Sequence, residues 1–125
     1  MAFALSVPGG SGSVFDPSPA TANCMQNIGG TIKNTCSFNV SWFIGLAVNQ
    51  GCHTVAIDGT NVSGILECGL ISQTQSGGGS GATFASFPLG TSVQLPNTCS
   101  PGSGILYLEC GMGPSDVINT VNYSQ

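Results

Sequence analysis

Six cysteines, Cys24, Cys36, Cys52, Cys68, Cys99 and Cys110, lie in a chain of 125 residues whose sole cation is Lys33. One domain of this length buries somewhat over about 60% of the surface its unfolded chain exposes, which makes a workable but modest core. Cross-links would supplement such a core at roughly 2 to 4 kcal/mol each, and they persist only in oxidising compartments. The cysteines are separated by 11, 15, 15, 30 and 10 residues. These spacings lack the short CxxC pairs of a structural zinc site, so the expectation is up to three disulfides, no metal and an extracellular, secreted protein. Spacing alone does not choose the connectivity.

Charged residues make up 5% of the chain, against about 25% in an average soluble protein. With no basic patch there is no electrostatic drive toward nucleic acid or anionic lipid. Disorder normally combines low hydrophobicity with high charge, whereas 41% of this chain is hydrophobic, so a folded state is expected. The longest apolar stretch, Trp42 to Val48, is far short of the roughly 20 residues of a spanning helix. Met1 to Val7 is apolar but ends at Pro8-Gly9-Gly10 without a basic flank, so secretion would require a leader already removed.

Periodicity points to an all-β or mainly β fold, a small disulfide-stapled sandwich or barrel of short antiparallel strands. Residues 1–22, rich in Gly and Pro, read as an extended N-terminal arm, and 23–125 as a single disulfide-rich β domain. Phe38, Val40 and Trp42 alternate with polar residues before Phe43 to Val48 runs continuously apolar. That pattern predicts a central strand passing into a fully buried setting. Asp58-Gly59 is a tight-turn signal and predicts a hairpin over 53–67. SQTQSGGGSGA at 72–82 reads as a flexible loop. Further short strands are expected at 83–87, 91–95 and 105–109, while 115–123 fits a capped helix and a strand equally well.

There is also an internal echo: Asn34-Thr35-Cys36-Ser37 recurs at 97–100, and Glu67-Cys68-Gly69 recurs as Glu109-Cys110-Gly111. If real, it marks two related β-elements. It also places Glu67 and Glu109 in equivalent positions, the one pair of carboxylates suited to glycoside hydrolysis.

Other catalytic layouts are weak. His53 is the only histidine and cannot build the usual zinc site. No nucleophile elbow or phosphate-binding loop is present, so no cofactor is implied. The positive case is for binding, since Asn, Gln, Ser and Thr can hydrogen-bond sugar hydroxyls while Trp42, Tyr107 or Tyr123 offers an aromatic face. The same aromatics suit a cell-surface receptor. The expected function is therefore a non-enzymatic binding protein recognising a glycan or receptor, in the manner of lectins, toxins, elicitors or taste-active proteins. The alternatives are a small carboxylate-dependent glycoside hydrolase and a surface-coating structural protein. Asn39, Asn61 and Asn122 begin glycosylation sequons, which matter if the source is eukaryotic.

Overall fold

The computed structural model of the chain describes residues 5–14, 23–46, 48, 51–73, 79–89, 93–100 and 105–124. Eleven strands run through them: β1 Leu5–Pro8, β2 Ser13–Val14, β3 Met25–Ile28, β4 Thr31–Asn34, β5 Val40–Leu46, β6 Gly51–Thr60, β7 Glu67–Gln73, β8 Gly79–Ser86, β9 Val93–Ser100, β10 Ile105–Met112 and β11 Val117–Tyr123. A short 3-10 turn, Gly9–Ser11, joins β1 to the segment before β2. All pairings are antiparallel. The first sheet runs β3-β4-β11-β6-β9 with β1 also on β11, and the second runs β2-β5-β10-β7-β8. The chain is thus a disulfide-stapled β-sandwich. Among the described residues no helix is long and apolar enough to cross a membrane.

Strict alternation explains the two layers. On β5, Val40, Trp42, Ile44 and Leu46 are buried, as are Leu106, Leu108, Cys110 and Met112 on β10. All of these but Val40 meet Ile32, Val55, Ile57, Leu95, Ile118 and Val121 of the first sheet in one core. Each large aliphatic side chain removed from water there contributes about 1.5 to 3 kcal/mol.

The six cysteines pair as Cys24–Cys36, Cys52–Cys99 and Cys68–Cys110. The last two join residues directly opposed on neighbouring strands. Their sequence separations of 47 and 42 residues correspond to about 4 kcal/mol each in the chain-entropy account. That is a large share of a typical domain's stability.

One end of the sandwich is closed by buried polar side chains rather than apolar ones. The Asp116 carboxylate accepts from the backbone N–H groups of Val62, Ser63 and Gly113 at 2.8, 2.9 and 2.7 Å and from the Ser63 hydroxyl at 2.6 Å. Asn61 accepts from Gly64 N–H at 2.9 Å and donates to the Phe87 carbonyl at 2.8 Å. These bonds hold the 61–66 crossing, which carries the chain from the first sheet to the second.

Three expectations change. The hairpin at 53–67 is absent, because β6 and β7 belong to different sheets. Gly59 lies inside β6, where a Cβ would come 2.5 Å from the Val117 carbonyl oxygen, so close strand approach and not a turn requires the glycine. The segment 72–82 is strand at both ends, since Ser72 and Gln73 finish β7 and Gly79 begins β8; residues 74–78 lie outside the described set. Within the N-terminal arm, β1 pairs with β11 and β2 with β5, so the arm contributes a strand to each sheet. The undecided 115–123 segment is strand from Val117.

Cys52 and Cys99 are both exposed, whereas Cys68 and Cys110 are fully buried. Thiol attack requires access to sulfur. Under mild reductant, Cys52–Cys99 should open first and Cys68–Cys110 only with unfolding. Timed alkylation and peptide mapping check the order; early labelling of Cys68 and Cys110 contradicts it.

Candidate functional site

The side chains that point away from the core differ between the sheets. Those of the first sheet are mostly polar: Thr54, Asp58, Thr60, Gln94, Thr120 and Asn122. The second sheet mixes aromatic and aliphatic groups with polar ones. Its register places Ser13, Phe43, Glu109, Gly69 and Phe84 in one row across all five strands. A parallel row holds Gly45, Tyr107 and Ile71, and another holds Ser41, Gly111, Glu67 and Ser86. Ile105 opposes Gln73 beyond them.

Glycines keep this face flat. Phe84 lies over Gly69, where a Cβ would meet the ring at 2.4 Å, and a Cβ at Gly111 would stand 3.8 Å from Cγ of Glu67. Gly45 is bare, with nothing within 4 Å of its missing Cβ. Phe43 and Tyr107 pack with ring centroids 5.6 Å apart and planes tilted by 52°. Phe84 and Ile105 are 48% and 56% exposed. The result is an open surface on which aromatic and aliphatic groups lie beside Glu67, Glu109, Gln73 and three serines, and among the described residues of this face there is no cation. Lys33 stands on β4, in the other sheet. Aromatic faces beside fixed acceptors can hold a ring that is apolar on its flat side and hydroxylated at its rim.

Glu67 and Glu109 are brought together. Glu67 opposes Gly111 and Glu109 opposes Gly69, which makes the two carboxylates diagonal neighbours, about 7 to 8 Å apart at the backbone.

The three aromatics singled out from sequence separate. Tyr107 is half-buried on the outer face. Trp42 is 7% exposed and donates its indole N–H to the Gly9 carbonyl at 2.8 Å, and Tyr123 is 3% exposed. Both belong to the core and offer no face to a ligand, which corrects their assignment as binding residues. The reason is parity: Trp42 shares the inward side with Val40 and Ile44, and Tyr123 with Val121. Phe43 and Phe84 are the aromatics that share the outer face with Tyr107. The continuously apolar run after Trp42 therefore marks an apolar outer face, not a strand buried on both sides.

His53 is buried, with Nδ1 2.9 Å from the Ser124 carbonyl oxygen. Of the sequon asparagines, Asn39 is exposed, Asn61 is buried with both ends of its amide bonded, and Asn122 donates to Asp58 at 3.3 Å.

Gly69→Ala forces the Phe84 ring off the sheet and should cost about 1 to 3 kcal/mol. Gly45→Ala, which meets nothing, should stay within about 0.5 kcal/mol. Denaturant titration measures both, and equal costs contradict the placement of Phe84.

No family model matches the chain, and no curated protein matches it by sequence. Its fold is similar to that of a solved structure named "BiXyn10A CBM1 APO", with a TM-score of 0.63 and 11% identity, over 97% of this chain and 96% of that one. At that identity the likeness is one of fold.

Proposed function

We propose that this chain is an extracellular carbohydrate-binding domain that acts by binding rather than catalysis, holding an uncharged glycan against the outer face of its second sheet. The observation that carries the reading is the convergence of Phe43, Tyr107 and Phe84 with Glu109, Glu67 and Gln73 on one glycine-flattened face. The similar structure carries the abbreviation for carbohydrate-binding module in its name, which supports the same reading. Three disulfides suit an oxidising, extracellular setting.

In this account a sugar ring rests its C–H face on Tyr107 and Phe43, using the bare strip over Gly45. Glu109, next to Phe43 in its row, accepts hydrogen bonds from the hydroxyls. Carboxylate acceptors make stronger hydrogen bonds than neutral ones. They also repel uronic acids and sulfated sugars. An open sheet face spreads its contacts over several rings, so chains should bind better than single sugars.

A second reading, glycoside hydrolysis by Glu67 and Glu109, is favoured by their diagonal placement, and one experiment separates the two. Affinity electrophoresis against soluble neutral polysaccharides should retard the parent protein on at least one. Tyr107→Ala and Phe84→Ala should each weaken retardation about fivefold to tenfold while the protein stays folded at the assay temperature. Glu109→Gln should weaken binding, and no form should release reducing ends. Absence of retardation on every polysaccharide, or indifference to both aromatic changes, contradicts the binding face. Release of reducing ends that Glu109→Gln abolishes establishes the hydrolase instead.

A further inference from the structure

A second feature, on the first sheet, is independent of the aromatic face. One edge of β11 changes partner along its length: Val117 and Ile118 pair with β4, while Thr120 to Tyr123 pair with β1. On the other edge, the ladder with β6 shifts register between Ile118 and Thr120. Asn119 therefore belongs to none of the three ladders, as expected of a bulged residue, and its side chain is exposed. At this seam lies an open cleft of about 430 Å³, bordered by Ser6, Pro8, Gly30, Thr31, Asn119 and Thr120. That volume falls within the roughly 300 to 1,000 Å³ of small-molecule sites.

The cleft is preformed. The Gly29-Gly30 turn has φ of 61° and 93°, a left-handed path natural to glycine. Gly30 N–H bonds Asn27 Oδ1 at 3.0 Å, the other end of that amide donates to the Gly10 carbonyl at 3.0 Å, and Gly10 N–H bonds the Gly30 carbonyl at 2.7 Å. One wall is thus tied to the turn that follows β1.

Its polar groups are neutral and set in complementary roles. Thr31 donates to Asn119 Oδ1 at 3.3 Å, which leaves the two N–H groups of the exposed Asn119 amide to donate elsewhere. Thr120 donates to Asp58 at 3.1 Å, so its oxygen retains accepting capacity. Ser6 is exposed and can do either, and the Pro8 ring supplies an apolar border. Donors, acceptors and a small apolar wall without a charged group match a polyol.

We infer that this seam is a second ligand site, taking a single neutral sugar unit or the end of a neutral glycan chain. The lining itself holds no cation for an anion, and the charges just beyond it, Asp58 bonded to Thr120 and Lys33 two residues from Thr31 on the same side of β4, are opposite in sign. A cation finds no carboxylate on the lining.

The test is a two-dimensional ¹H–¹⁵N NMR titration of the full chain with D-glucose, D-galactose, D-mannose and D-xylose at millimolar concentrations, beside glucuronate and glucosamine. At least one neutral sugar should shift the amides of Gly29, Gly30, Thr31, Asn119 and Thr120 saturably. Asn119→Ala should weaken that binding about tenfold and Ser6→Ala severalfold. Both residues are exposed, so folding is retained. Tyr107→Ala should leave these shifts unchanged, so loss of the aromatic face and loss of the cleft are separately visible. The inference is overturned by any of three results: no saturable shift at these amides with any neutral sugar, unchanged affinity in the Asn119→Ala, Ser6→Ala double variant, or glucuronate or glucosamine binding as well as the neutral sugars.

Discussion

The bond between Cys68 and Cys110 sets the arrangement on which the rest of the molecule depends. It joins two directly opposed, fully buried residues at the middle of the second sheet and so fixes the register of β7 against β10. In a sheet whose side chains alternate, a slip of one residue turns every group to the opposite face. Here the fixed register sends Leu70 and Leu108 inward and lays Glu67 against Gly111 and Glu109 against Gly69 outside. Each carboxylate is thus paired with a glycine. The absent side chains leave room for Phe84 and for the Glu67 stem to lie along the sheet.

With so few charges the fold cannot rely on ion pairs, and it closes its end with neutral amides and one buried carboxylate. Asp116 has every acceptor site engaged by a donor from the 61–66 crossing or the 113–116 turn. That satisfaction makes a fully buried carboxylate tolerable. It also holds the two sheets at a set separation while their outer faces diverge in character, polar on one side and aromatic on the other. A sandwich of this kind has two chemically distinct surfaces, and the two sites inferred above use one each.

The all-β class, the disulfides and the strands around Val40–Leu46 and Ile105–Met112 were legible because alternation and cysteine content are local signals. What misled were glycines. Asp58-Gly59 resembles a turn, yet Gly59 exists to admit the Val117 carbonyl. The Gly-Ser segment resembles a free loop, yet β8 needs only its backbone to pair along β7. Pairing of β1 and β2 with strands far along the chain leaves no local trace. The aromatic face was half visible. Tyr107, Glu67 and Glu109 carried signals in the sequence, and the Glu-Cys-Gly echo correctly placed the two carboxylates in matching positions. Choosing Trp42 over Phe43 required knowing which parity faced the core, and the contribution of Phe84 depends on a glycine 15 residues earlier.

Strand parity alone thus links a buried covalent lock to the exposed surface proposed to bind glycan. A crystal structure of the chain with a neutral oligosaccharide selected by electrophoresis tests this link most directly. A sugar ring stacked across Phe43 and Tyr107, with a hydroxyl within hydrogen-bond reach of Glu109, is the expected result. An oligosaccharide seated only at the ends of the sandwich or on the polar sheet, leaving that surface empty, contradicts it.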